Sequence, residues 1–279
     1  MVFDGYRSNN TKDMTHQRRT KGRIGATVTF TADMTLTMKK DEFLTNRENK
    51  QNFIFMLSAE LQKANCETYH ASGDADLLIV QKAVQCATTN KTVLIGDDTD
   101  LLVLLCHHAS LKSCDLFFCS ETRQNTKKTH MWNIKATKRL LGRDICKHIL
   151  FVHAVLGCDT TSRLHGVGKG ASLKKFKESA MFREQANVFF DSSSSKDDVA
   201  RAGEKALVIL YNGKPADTLD SLRYHRFCEK VASSSTHIEP QALPPTSGAA
   251  KYHSLRVYLQ VQEWKASASG TFSFLLFLH

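Results

Sequence analysis

The sequence predicts an α/β fold with a mainly parallel sheet, and three observations support this. Short apolar runs that are typical of buried strands alternate with helical patterns along the first half of the chain. From Ile134 onward the pattern is mainly helical. The 279 residues, with 42% hydrophobic and 24% charged side chains, are sufficient to bury a full globular core.

The predicted strands all lie in the first half of the chain, at residues 1–5, 67–70, 91–95 and 116–119. Apolar residues at helical spacing predict a helix that ends near Asn65, and the run LLIVQKAVQCA after Asp76 predicts a second helix. The run LLVLL after Asp100 begins another buried element. This alternation is typical of a parallel sheet that helices cover.

The last third of the chain is expected to be a helical extension. The segment DSSSSKDD (191–198) is typical of a linker or surface loop, and Pro244-Pro245 separates the last two helices. The predicted helices are Val199–Leu210, Thr218–Ala232 and Ala249–Trp264. We therefore expect one domain over residues 1–190 and an extension over 191–279 that ends in a disordered tail after Trp264.

Composition narrows the class of protein. The start, MVFDGYRSNN, has no apolar signal segment, and the run Phe272–Leu278 is far shorter than the roughly 20 residues that span a bilayer. We expect an intracellular protein that is not secreted and contacts no membrane, with the nucleus as a candidate compartment. The eight scattered cysteines favour reduced thiols, and the Cys and His residues at 106–119 lack the spacing of a usual zinc site.

Positive charge is concentrated in one stretch of the chain. Residues 127–183 contain thirteen Lys or Arg and three acids, so their excess of +10 equals the net charge of the whole chain. Such a concentration predicts a polyanionic partner, and nucleic acid first. The alternative is a solvated basic surface with no partner.

Aspartates follow the predicted strands at three places. They are Asp4 in VFDG, Asp74 and Asp76 in GDAD, and Asp98 and Asp100 in GDDTD. Because ligands of parallel sheets bind beyond the carboxyl ends of the strands, we expect these acids to converge on one crevice. Clustered carboxylates repel one another unless a cation neutralises them, and oxygen-only ligands suit Mg²⁺ or Mn²⁺. Each acid alone also has a simpler interpretation as a helix cap.

The segment Val155–Phe176 contains the glycine-rich sequence GVGKG and predicts a tight turn between two helices. A Walker loop requires Ser or Thr after its lysine, but Gly170 follows Lys169 here. Glycines let the backbone approach a phosphate, and Lys169, Lys174 and Lys175 add positive charge beside it. A plain helix-capping turn is the alternative.

The acids and the basic stretch together predict a nuclease, since two divalent ions can activate water and stabilise a phosphoryl displacement.

In their order along the chain, these motifs resemble those of the flap endonuclease-like 5′ nucleases, which are related to XPG and to PIN domains. VFDG resembles the strand-ending aspartate of the family, GDAD its paired acids, and GDDTD its D-x-D. GCDTTSRLHGVGKGASL resembles its G-x-D followed by a helix–hairpin–helix. The resemblance covers residues 1–180.

The resemblance implies a PIN-like three-layer fold with an arch-like basic segment at 7–40 and a helix–hairpin–helix at 155–180. It implies a Mg²⁺-dependent, structure-specific endonuclease or 5′-exonuclease that uses two ions to cut branched or single-strand-bearing DNA. The implied metal-binding and catalytic residues are Asp4, Asp74, Asp76, Asp98, Asp100 and Asp159. The implied nucleic-acid-binding residues are Lys12, Arg18, Arg19, Gly166, Gly168, Lys169, Gly170, Lys174 and Lys175, with a K⁺ ion at the hairpin.

The sequence departs from the family pattern at its start. Family members begin with an earlier strand that carries a further metal-binding aspartate, whereas this chain opens at MVFDG. We therefore expect a truncated nuclease, or alternatively a catalytically impaired nucleic-acid-binding remnant of a mobile-element or nuclease gene. A second alternative is a Mg²⁺-dependent phosphatase that acts on a small molecule. The oligomeric state is left open.

Overall fold

The computed structural model describes residues 1–5, 24–120, 130–233 and 237–266 of the protein. The chain divides into two compact units, Met1–Lys82 and Ala83–His279. Four expectations fall wholly or partly outside the described residues: the phosphate contacts of Lys12, Arg18 and Arg19, the arch-like segment up to residue 23, the start of the basic stretch at 127–129, and the tail from residue 267.

In its described residues, the first unit contains a small parallel sheet, two complete helices and the start of a third. Strand β1 (Val2–Phe3) pairs in parallel with β2 (Tyr69–His70). Helix α1 (Lys40–Thr45) is followed directly by α2 (Arg47–Lys63), and the side chain of Asn46 caps α2 by accepting hydrogen bonds from two backbone amides of its first turn. Helix α3 (Asp76–Cys86) begins in the first unit and ends in the second.

The second unit contains a three-stranded sheet in the order β3 (Thr92–Ile95), β4 (Leu116–Ser120) and β5 (His130–Asn133). Strands β3 and β4 are parallel, whereas β4 and β5 are antiparallel. Parallel pairs thus occur in both sheets, and the α/β class is confirmed. In the described residues the strands form two small sheets rather than one, and two of the three strand pairings are parallel, so the pairing is mainly parallel as expected. The PIN-like layer arrangement stays a prediction.

Helices make up most of the second unit. They are α4 (Thr99–His108), α5 (Ile134–Leu141), α6 (Arg143–Leu156), α7 (Lys169–Glu178), α8 (Ala180–Phe190), α9 (Lys196–Leu210), α10 (Leu219–Ser233) and α11 (Ser247–Lys265). Helix α6 is the centre of the core, since eleven of its fourteen residues are buried. Its continuous apolar run Ile149–Val152 explains this burial, because a helix that is apolar on every side must be enclosed.

The last three helices confirm the predicted ones to within three residues at each end. The boundary predicted near residue 190 lies inside the second unit, where α8, α9 and α11 pack against one another. Gly203 allows α9 and α11 to come very close, because a Cβ at this position would lie 2.4 Å from the Cβ of Ser254. Within the described ranges, no helix has the length and apolarity needed to cross a bilayer.

Candidate metal centre

Asp98 and Asp100 lie in the turn that joins β3 to α4. Asp98 is the N-cap of α4, and its Oδ1 accepts a hydrogen bond of 3.0 Å from the backbone amide of Asp100. The capping interpretation of this acid is therefore correct, but it leaves the remaining lone pairs of an exposed carboxylate available to a ligand. Oxygens of the two carboxylates lie within 4.8 Å of one another and could hold a metal ion together.

Asp100 is buried, at 8% exposure, and is paired with a histidine of α6. The distance from Asp100 Oδ1 to His153 Nε2 is 2.7 Å. An ionised carboxylate can only accept a hydrogen bond, so the ring nitrogen is the donor. Helices α4 and α6 run antiparallel, because His107 at the other end of α4 bonds to the Cys146 carbonyl near the start of α6. The first turn of α4 is thereby fixed against the last turn of α6.

Asp97 differs from Asp98 and Asp100 because its side chain makes a contact with another strand. Its side chain is exposed and lies 3.4 Å from the hydroxyl of Ser120, at the end of β4. Asp98 and Asp100, in contrast, share the start of α4. This difference supports the assignment of Asp98 and Asp100, rather than Asp97, as the ligands of GDDTD.

Asp159 lies in a tightly folded loop that follows α6. Gly157 begins this loop with φ of 108°, in the region that favours glycine, and a Cβ there would lie 2.6 Å from the backbone of Arg163. The Thr161 hydroxyl donates to the Ala154 carbonyl at 2.7 Å and accepts from the Cys158 amide at 3.0 Å. Asp159 is thus positioned by bonds on both sides of it, although its carboxylate is not part of the 4.8 Å group that contains Asp98 and Asp100.

In the first unit, the acid after β1 lies beside the GDAD segment. Asp4 Oδ1 accepts a hydrogen bond of 3.0 Å from the Ala75 amide, and the Gly5 amide bonds to the Gly73 carbonyl at 2.8 Å. Asp74 is half-buried in this segment, and Asp76 lies at the start of α3. VFDG and GDAD are thus distant in sequence and hydrogen-bonded to one another in the structure.

Lys50 of α2 was not predicted from the sequence, although its charge interacts with that of Asp4. Burial lowers the pKa of this lysine, and the negative charge of Asp4 partly offsets the effect. A lysine on a mostly polar helix gives no sequence signal of such a contact. His153 was also missed, because it lies within an apolar run and resembles an ordinary core residue.

The glycine segment differs in part from the predicted tight turn. Residues 157–168 join α6 to α7, so the connection is longer than the glycines alone. Gly166, Gly168, Lys169, Gly170 and Lys174 are exposed. Lys175 has a different role from the predicted phosphate contact, because its Nζ donates to the carbonyls of Ile209 and Leu210 at 3.1 and 2.6 Å and burial lowers its pKa. It supplies a donor to the Leu210 carbonyl, one of those that a helix end leaves without an intrahelical partner, and a second donor to the Ile209 carbonyl, which also accepts from the Asn212 amide.

The donor set at Asp98 and Asp100 consists of carboxylate oxygens, which fits a hard divalent cation such as Mg²⁺ or Mn²⁺. The Cys and His side chains at 106–119 do not converge on a metal-binding geometry anywhere in the described part of the chain. Burial raises the pKa of the Cys106 thiol to about 12, so this thiol is protonated at neutral pH.

No family model matches the chain, and neither a curated protein nor a solved structure is significantly similar to it.

Proposed function

We propose that this protein is a Mg²⁺-dependent nuclease that hydrolyses phosphodiester bonds in DNA. The observation that carries the proposal is the pair Asp98 and Asp100, whose carboxylates adjoin at the start of α4 while His153 fixes the buried member. Two adjoining carboxylates repel one another unless a cation neutralises them, so the placement of Asp100 beside Asp98 favours a cation-binding role.

The proposed ligands extend beyond this pair. Asp76, at the start of α3, is assigned to the site by the resemblance of GDAD to the paired acids of the family. Asp4, Asp74 and Asp159 are assigned to the site, and to a second ion, by the resemblance of their motifs. Bound divalent ions supply a Lewis acid that polarises the phosphate and lowers the pKa of water.

The proposed substrate follows from the basic surface of the second unit. Seven of its Lys and Arg side chains that belong to the basic stretch are exposed: Arg139, Arg143, Lys147, Arg163, Lys169, Lys174 and Lys177. Exposed cations of this kind bind phosphates without selecting bases, which suits an enzyme that recognises the shape of DNA. Branched or single-strand-bearing DNA is the proposed substrate, and K⁺ at the glycine segment the proposed accessory ion.

The proposal is tested by comparing Asp100→Asn with Asp97→Asn. Both variants remove one negative charge from the same turn, but only Asp100 is assigned as a ligand. With Mg²⁺ and 5′-flap DNA, Asp100→Asn is expected to lower the cleavage rate by about a hundredfold or more, and Asp97→Asn by less than about threefold. Equal rates for the wild type and Asp100→Asn would contradict catalysis by this site.

The exposed basic side chains also support a second candidate, a DNA-binding protein without turnover. Salt-dependent DNA affinity with no Mg²⁺-dependent cleavage is the result that this candidate predicts. A small phosphoester included in the same assay separates a third outcome, because hydrolysis of it without DNA affinity would identify a phosphatase.

A further inference from the structure

One face of α11, the last helix of the described residues, lies against residues that contact Asp100 and the Asp159 loop. Arg256, Gln260 and Trp264 are spaced four residues apart, so their side chains project from the same side of the helix. None of the motifs that carry the family resemblance includes this helix, which belongs to the same compact unit as Asp98, Asp100 and Asp159.

Two of these side chains hold the loop that contains Asp159. The Oε1 atom of Gln260 accepts a short hydrogen bond from the hydroxyl of Thr160, the residue that follows Asp159. Arg256 donates to the hydroxyl of Ser162 at 3.3 Å. The loop is therefore bonded to α11 as well as to its own backbone.

The third side chain contacts the partner of Asp100. The ring of Trp264 packs on the ring of His153, with 5.8 Å between the centroids. The end of α11 is itself held in place, because His108 Nε2 bonds to the Trp264 carbonyl at 2.8 Å. His153 is thus confined between Asp100 on one side and Trp264 on the other.

The burial of Gln260 indicates that its hydrogen bond to Thr160 contributes to stability. Only 5% of this residue is exposed, and a buried amide is unfavourable unless its polar atoms are hydrogen-bonded. The neighbouring Val257 and Val261 are fully buried, which prevents the helix from rotating to expose the amide. The core therefore presents Gln260 to the loop in one orientation.

We propose that α11 is a positioning element of the metal centre: Gln260 holds the Asp159 loop, and Trp264 holds His153 and through it Asp100. This inference rests on the proposed function, in which Asp100 and Asp159 bind metal. The helical extension is then a necessary part of the active unit rather than an appendage to it.

The test uses two glutamines of α11 that are both buried. Gln260→Met removes the acceptor for Thr160 with little change in volume. Gln262→Met is the matched control, because Gln262 is buried in the same helix but donates to the Phe189 carbonyl of α8 instead. Thr160→Val removes the other half of the first bond.

The first measurement is the affinity of the purified full-length protein for Mn²⁺ alone. Gln260→Met is expected to weaken Mn²⁺ binding about tenfold or more, and Gln262→Met by less than about twofold. The effects of Gln260→Met and Thr160→Val should not add, since they break the same interaction. Equal Mn²⁺ affinities for Gln260→Met and Gln262→Met would overturn the positioning role.

The second measurement is amide hydrogen exchange over residues 157–162 without metal. Faster exchange in Gln260→Met than in Gln262→Met supports the contact independently of any metal. If the wild type binds no Mn²⁺ and this difference persists, the proposed metal function fails while the structural role of Gln260 stands. If hydrogen exchange over residues 157–162 is the same in both variants, the inference about α11 fails whatever their Mn²⁺ affinities are.

Discussion

Helix α2 of the first unit and helix α6 of the second are of similar length but bury very different fractions of their residues. Three of the seventeen residues of α2 are buried, and two of those three are polar. Eleven of the fourteen residues of α6 are buried. Phe53 and Phe55 of α2 are 39% and 43% exposed, whereas Phe151 of α6 is fully enclosed.

This difference shows that the two units are stabilised in different ways. In the first unit, Asn49 donates to the Ala26 carbonyl and accepts from the Val28 amide, and Asn46 donates to the Gly25 carbonyl. These hydrogen bonds attach an irregular segment to α2 with little burial of apolar surface. In the second unit, burial of apolar side chains is the main contribution. Asp98, Asp100 and Asp159 therefore rest on a packed core.

The largest expected effect comes from shortening a side chain in the core of α6. Phe151 packs on Phe189 and Phe182, with ring centroids 4.5 and 6.0 Å away. Phe151→Ala should lower the free energy of unfolding by about 3–5 kcal/mol, because it removes a buried ring and leaves a cavity. Phe53→Ala, on the half-exposed face of α2, should cost less than about 1.5 kcal/mol. Urea unfolding of both variants measures this, and equal losses would contradict the comparison.

Acid should destabilise the second unit through histidines that are half-buried or buried. Burial, followed by repulsion from His108, lowers the pKa of His107 from 6.5 to about 4. Between these values the unfolded chain binds more protons than the folded one, so the free energy of unfolding falls as the pH falls. For His107 the loss is about 3 kcal/mol at most. Burial lowers the pKa of His108 and His253 in the same direction.

The variant His107→Gln tests the source of this pH dependence. Glutamine retains a donor for the Cys146 carbonyl but does not titrate. Thermal unfolding measured from neutral pH down to about 4 should show a flatter dependence in the variant than in the wild type. Identical slopes would assign the acid sensitivity to other groups.

The smallest effect concerns the asparagine network of the first unit. Asn49→Ala should cost about 1–3 kcal/mol, because it leaves the Ala26 carbonyl and the Val28 amide without their partner. Amide hydrogen exchange should accelerate at Val28 while the core of α6 stays protected. Exposed Asn52 of the same helix provides the control, Asn52→Ala, in which no such acceleration is expected. Acceleration in α6 would show that the two units do not unfold separately.

Local signals in the sequence predicted much of the fold but few of the contacts that hold the side chains of the proposed site in place. The position of the GDDTD acids between a strand and a helix was predicted correctly, because a strand end and a helix cap are determined by residues that are close in sequence. The helices after residue 190 were predicted for the same reason. Strand β5 was missed, since HMWN is short and only its pairing with β4 makes it a strand.

The missed contacts join residues that are far apart in sequence. His153 meets Asp100 across two helices, and Gln260 meets Thr160 one hundred positions away. Lys175 was predicted to contact phosphate because it lies in a basic run, yet its ammonium group donates hydrogen bonds to carbonyls at the end of α9. A single sequence carries no signal of such pairs, because each member alone resembles a core residue or a surface charge.

The close approach of α9 to α11 at Gly203 has a consequence for how the protein tolerates mutation. Any side chain at this position would collide with Ser254 and push α11 outward. Gln260 and Trp264 belong to the same helix. The added methyl group of an alanine at position 203 would therefore displace their contacts with the Asp159 loop and with His153. A genetic screen for loss of function would then recover position 203, although glycine offers no reactive group and lies in a helix that contributes no proposed ligand.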